Sequence, residues 1–113
     1  MYAHSSQART EMERSRYDYF AAIRIFNRIL VDPFTGLHIN QARNIVRQNS
    51  GFINTFTVFE AQARRLALTP DFGGIVTNRN MPELHGGGAT GFFWHYHVNN
   101  FPNSHLWFLV RGG

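Results

Sequence analysis

Three histidines near the end of the chain have the spacing of a functional site. His95 and His97 are separated by one residue, so on a β-strand both side chains project from the same face of the sheet. His105 lies in a second run of aromatic and β-branched residues, and the turn formers of residues 99–103 separate the two runs. We therefore predict a β-hairpin, residues 92–98 and 104–110, that brings the three imidazoles together.

The length of the predicted loop fixes the pairing of these strands. With residues 99–103 as the loop, His97 lies opposite His105 and His95 lies opposite Trp107. Cβ atoms of such pairs are about 4.5–5.5 Å apart, whereas a slip of one residue would separate the histidines. On the histidine face Trp107 could stack on a base or pack internally. The other face carries the hydrophobic side chains that we expect to meet the core, Trp94, Tyr96, Leu106 and Phe108.

A cluster of imidazoles permits two kinds of chemistry. Histidine titrates near neutral pH, so a pair can act as general base and general acid, as in metal-independent cleavage of RNA. Alternatively, neutral imidazoles bind zinc or a similar divalent ion, and His95, His97 and His105 would then be the ligands. Glu83 or His85, from the preceding loop, could complete either site.

The candidates for substrate binding lie near these histidines in the sequence. Arg79 and Arg111 are the nearest arginines, and a guanidinium binds phosphate through paired hydrogen bonds. Asn100 and Asn103 are turn formers first, although their amides could also hydrogen-bond a substrate. The glycines at 86–88 match no phosphate-binding motif, so we interpret the segment as a flexible flap over the site.

Composition narrows the classes of function. The chain has no cysteine, which excludes disulfides, thiolate metal ligands and a cysteine nucleophile. All 11 basic residues are arginine and the net charge is +4, which favours a nucleic acid or an acidic protein as partner, although compositional bias of the genome would have the same effect. No stretch is apolar enough to span a bilayer or to serve as a signal peptide, so we expect no membrane insertion.

The rest of the sequence predicts helices that precede the hairpin. Residues 11–31 carry apolar side chains at helical spacing, Tyr19, Ile23, Phe26 and Leu30. A second helix is predicted over residues 40–48. A third begins at a capping box, residues 57–60, and ends before Pro70. The segment 52–56 could instead be a short strand.

These elements predict an α+β fold in which N-terminal helices pack on a small C-terminal antiparallel β-sheet. A chain of 113 residues is expected to form one domain. We assign that domain to residues 11–113 and expect residues 1–10 to be flexible because they are polar and terminal.

Several of these segments resemble a known family. Residues 91–97, G-F-F-W-H-Y-H, and residues 103–108, N-S-H-L-W-F, follow a loop that contains Gly73, Gly74 and the P-E-L-H sequence of residues 82–85. Together they resemble the C-terminal effector domains of bacterial polymorphic toxins, of the rearrangement-hotspot and contact-dependent-inhibition types. The resemblance covers the chain from Gly73 onward.

The resemblance implies a toxin domain at the end of a longer exported bacterial protein. Such a domain would act in the cytoplasm of the target cell and would be blocked by a cognate immunity protein. Many of these toxins are similar to the barnase, EndoU and colicin-type ribonucleases, which implies RNA as substrate and His95, His97 and His105 as catalytic residues. We therefore expect a metal-independent endoribonuclease, with a metal-dependent hydrolase or nuclease, or a non-catalytic basic binding module, as alternatives.

Overall fold

The computed structural model describes residues 1–26, 28–76, 83–84 and 93–112. The helices are α1 (Ser6–Arg14), α2 (Ile39–Gln48) and α3 (Glu60–Ala67), and a short 3-10 helix follows at Pro70–Phe72. The strands are β1 (Tyr19–Ile25), β2 (Arg28–Leu37), β3 (Ile53–Phe59), β4 (Glu83–Leu84), β5 (Trp94–Val98) and β6 (Phe101–Val110).

The strands form one sheet in the order β2–β1–β3–β6–β5–β4. Neighbouring strands are antiparallel except β3 and β6, which run parallel at the centre of the sheet. The expectation of a fold that combines helices with a sheet is confirmed. Its finer form is wrong, because helices and strands alternate along the chain and the sheet is not antiparallel throughout.

The helix predicted over residues 11–31 is wrong. Helix α1 ends at Arg14, and the β1–β2 hairpin occupies the remainder of that segment. Tyr19 and Phe20 are consecutive and both buried, because helices cover both faces of the sheet. Strands buried on both sides lose the alternation of apolar and polar residues that identifies a strand. Phe26, which completed the apparent helical stripe, lies at the hairpin turn and is 91% exposed.

The other two predicted helices are confirmed, with a corrected start for the third. Helix α2 (Ile39–Gln48) matches the segment 40–48. Helix α3 begins at Glu60, because Thr57 belongs to β3 and its hydroxyl donates to the Phe59 carbonyl (2.9 Å). The strand considered for residues 52–56 is therefore present as β3. None of the described helices is both long enough and apolar enough to cross a bilayer.

Two hydrophobic cores lie on opposite faces of the sheet. Helices α2 and α3 cover one face, where the core includes Val46, Leu66, Tyr96 and Phe108. Helix α1 covers the other face, with the core residues Ala8, Met12, Phe20, Phe56, Phe93 and Trp107. The sheet is thus the middle of three layers, and its central strands are packed against helices on both faces.

The sequence predicts that the first ten residues are flexible. In the structure residues 1–3 lie alongside β2, and α1 begins at Ser6. The Ala3 N–H donates to the Ile29 carbonyl (3.0 Å), and the Val31 N–H donates to the Met1 carbonyl (2.8 Å). Ala3 is buried beside β2. The start of the chain therefore closes one side of the α1-covered core.

Candidate functional site

Strands β5 and β6 form the hairpin that the sequence predicts. His95 pairs with Trp107 as predicted, and Tyr96 pairs with Leu106. Nearer the turn the predicted register is wrong, because Val98 pairs with Phe101. The loop is shorter than predicted, because β6 begins at Phe101 and the register shifts beyond Tyr96. This irregularity near the turn leaves the histidine face of the hairpin intact.

The three imidazoles meet on the face of the sheet that α1 covers. Ring centroids are 4.8 Å apart for His95 and His97, 4.7 Å for His97 and His105, and 5.2 Å for His95 and His105. One nitrogen from each ring lies within 4.8 Å of the others. The predicted convergence of these side chains is therefore confirmed in the structure.

The three histidines differ in burial. His95 is 1% exposed and belongs to the interior, whereas His97 and His105 are half-buried. The His105 ring stacks on the indole of Trp107, with centroids 5.2 Å apart and planes 24° apart. Trp107 is itself buried in the core, so its position agrees with internal packing rather than with stacking on a base. The cluster is therefore closed to solvent at His95 and Trp107 and partly open to solvent at His97 and His105.

Hydrogen bonds orient two of the rings. Nδ1 of His95 lies 3.1 Å from the carbonyl oxygen of Phe93. Nδ1 of His105 lies 3.4 Å from Oδ1 of Asn54 on β3. Both partners are oxygen acceptors, so each Nδ1 is the donor, and in the neutral ring Nε2 carries the lone pair. The sequence analysis missed Asn54, although an asparagine inside the run I-N-T-F-T-V-F is a signal, because asparagine is depleted in strands and needs partners when buried.

Comparison of the chain with protein-family models, with curated proteins and with solved structures gives no match.

The chemistry of the three imidazole nitrogens fits a metal ion. A tetrahedral ion that binds nitrogen at about 2.0–2.1 Å requires ligand nitrogens about 3.3 Å apart. The ring nitrogens lie within 4.8 Å of one another, so binding would draw them closer together to reach this spacing.

The residues predicted to bind substrate lie elsewhere. The guanidinium of Arg111 stacks over Trp94 (4.4 Å), and its Nε lies 4.0 Å from Glu60 on α3. Asn100 donates to the Asp71 carbonyl (2.9 Å). Asn103 hydrogen-bonds through its backbone and its amide to Asn49. These contacts hold the hairpin against α2, α3 and the 3-10 helix. They engage the three side chains away from the imidazoles.

Two predicted site residues, Arg79 and His85, lie outside the described residues, as does the glycine segment 86–88. Of Glu83 only the backbone is described, and it pairs with His95 in the sheet. The arginines of α2 and α3 are on the face opposite the imidazoles, where Arg47 forms a two-point ion pair with Asp71 (2.9 Å). That pairing holds the pKa of the Asp71 carboxyl below its usual value.

Proposed function

We propose that the chain is a metal-dependent hydrolase in which His95, His97 and His105 bind one divalent ion of the zinc class. The observation that carries the proposal is the approach of three ring nitrogens to within 4.8 Å on paired strands. Three protein ligands leave a fourth position for water or substrate, which is typical of catalytic rather than structural zinc sites.

The burial of His95 favours a ligand over a proton-transfer group. A general acid or base must come within about 2.6–3.2 Å of the substrate atom that it serves. His95 is 1% exposed and its Nδ1 is engaged by the Phe93 carbonyl, so a substrate reaches it only after rearrangement. A metal ligand needs no such access, and the hydrogen bond to Phe93 is of the kind that orients metal-bound imidazoles.

The reaction that such a site would support is hydrolysis. His95, His97 and His105 would hold the ion, and the ion would supply the activation of water near neutral pH. From the resemblance to toxin effector domains we propose a phosphodiester of RNA as the substrate. Export within a longer protein and inhibition by a cognate immunity protein belong to the same proposal.

A metal-independent ribonuclease is the second candidate. It is favoured by the half-buried pair His97 and His105, whose rings are 4.7 Å apart and could serve as base and acid without His95. In this alternative His95 would only support the other two rings.

One experiment separates these candidates. The metal-free chain would be assayed on RNA and on a chromogenic phosphodiester, with and without Zn²⁺ or Mn²⁺, beside His95→Ala and the distant control His38→Ala. We expect activity that needs the ion, that EDTA abolishes and that His95→Ala loses while His38→Ala keeps it. Activity that survives EDTA would favour the metal-independent ribonuclease. No turnover under any condition, with nucleic-acid binding that depends on arginines, would favour the non-catalytic module.

A further inference from the structure

We infer that the ion is held by an unsymmetrical set of nitrogens: Nε2 of His95, Nε2 of His105 and Nδ1 of His97. We infer also that Asn54 is a positioning residue for this set. Both inferences rest on the proposed metal site and assign its atoms.

The assignment for His95 follows from a backbone carbonyl. Its Nδ1 is 3.1 Å from the Phe93 oxygen, which can only accept a hydrogen bond, so Nδ1 carries the hydrogen. In the neutral ring Nε2 is then the nitrogen with the lone pair, and it is shielded from solvent. The strand itself therefore selects the tautomer that presents Nε2.

The assignment for His105 depends on the orientation of the Asn54 amide. Nδ2 of Asn54 donates to the Gly51 carbonyl (2.9 Å), and Oδ1 accepts the backbone N–H of His105 (2.7 Å). These two bonds fix which end of the amide is oxygen. That oxygen also faces Nδ1 of His105 at 3.4 Å, so Nδ1 is the donor, and we assign Nε2 to the ion. Asn54 is fully buried, so water does not compete for its oxygen.

For His97 we assign Nδ1, and not Nε2, to the ion. Although the residue is half-buried, its Nδ1 is shielded from solvent, so the accessible part of the residue lies elsewhere. Its ring stands at 89° to that of His95 and at 61° to that of His105. The His97 ring centroid lies 4.8 Å from that of His95 and 4.7 Å from that of His105, and we therefore assign its shielded nitrogen to the shared ion.

Carboxylate substitutions test the assignment, since Oδ1 of Asp lies the same number of bonds from Cα as Nδ1 of histidine, and Oε1 of Glu as Nε2. Zinc affinity would be measured by competition with a chromophoric chelator. We expect the Zn²⁺ affinity of His97→Asp to be at least about 10-fold higher than that of His97→Glu. The Zn²⁺ affinity of His105→Glu should exceed that of His105→Asp by a similar factor. This factor is comparable to the effect of losing a hydrogen bond to a metal ligand. The same pair of changes at His38 serves as the control and should leave affinity unchanged.

The role of Asn54 is tested by two variants that both lose the bond to Gly51. Asn54→Asp keeps an oxygen acceptor for His105, whereas Asn54→Leu does not. We expect Asn54→Leu to weaken Zn²⁺ binding by roughly 10–100-fold and Asn54→Asp to retain it. Equal losses in the two variants would show that Asn54 acts only through stability of the fold.

A measurement on the unsubstituted protein guards against variants that fail to fold. Long-range ¹H–¹⁵N spectra of the metal-free chain report the tautomer of each imidazole, and we expect hydrogen on Nδ1 of His95 and of His105. Hydrogen on Nε2 of either ring, or a reversed order of the carboxylate variants, overturns the inference even if Zn²⁺ binds. Absence of Zn²⁺ binding to the unsubstituted protein, with the expected tautomers, overturns the proposed function instead.

Discussion

Zinc should stabilise the folded chain, and the loss of one imidazole should remove most of that effect. An ion that binds only the folded state at 100 times its Kd adds about 2.7 kcal/mol to the free energy of unfolding. A chain of 113 residues gains about 4 °C in Tm for each kcal/mol, so the expected rise in Tm is about 11 °C.

The substitution His105→Ala removes one of the three proposed ligands and the ring that stacks on Trp107. If affinity for Zn²⁺ falls by a factor of about 100, the same zinc concentration equals the new Kd and stabilises by only about 0.4 kcal/mol. The corresponding rise in Tm is about 2 °C. The variant should therefore lose most of the zinc-dependent shift, whatever its metal-free Tm.

Differential scanning calorimetry of both proteins with and without Zn²⁺ gives the two shifts directly. The matched control is His38→Ala, because it removes one histidine from the unfolded chain as well and leaves the cluster complete. His38 contacts Tyr17 and lies outside the cluster. Similar zinc shifts for His105→Ala and the unsubstituted protein would refute the reasoning, as would a lost shift in His38→Ala.

Two further predictions concern contacts that hold the hairpin in place. Asn49 has a left-handed backbone (φ 51°) and its Oδ1 accepts the Asn103 N–H (2.7 Å), so Asn49→Ala should lower the free energy of unfolding by about 1–3 kcal/mol. Asn49→Gly should cost less in urea denaturation; a larger cost for glycine would contradict this account. Burial and the hydrogen bond to Glu60 raise the pKa of Tyr96, so its contribution to stability is complete below about pH 10 and is lost as pH rises through the folded pKa. Tyr96→Phe should lack this loss in unfolding measurements between pH 8 and 11, and identical alkaline profiles would disprove it.

The C-terminal hairpin could be predicted because its signals are local. Aromatic and β-branched runs, a turn-rich loop and alternate histidines together define strands, register and face. The number of residues between His95 and Trp107 predicts their pairing, which is present although the register shifts between Tyr96 and Val98. Helix α2 could also be predicted, since one side of it is solvated and its apolar residues keep the helical period.

The N-terminal half could not be predicted from periodicity. In β1 the apolar residues Tyr19 and Phe20 serve different cores, so their spacing describes two layers of packing rather than one face. The parallel pairing of β3 with β6 joins distant segments and has no local signal. Asn54 is beside His105 only because of that pairing, which is why the sequence analysis found the imidazoles and missed their neighbour.

The central parallel pair of strands has a consequence for how the site is assembled. All three imidazoles come from one hairpin, so they can approach one another as soon as a short stretch of chain closes on itself. The amide that orients His105 comes from a strand 51 residues earlier, and we expect a contact of such sequence separation to form later than the hairpin. We therefore expect the three rings to come together before Asn54 orients His105, so that only the complete sheet contains the oriented cluster.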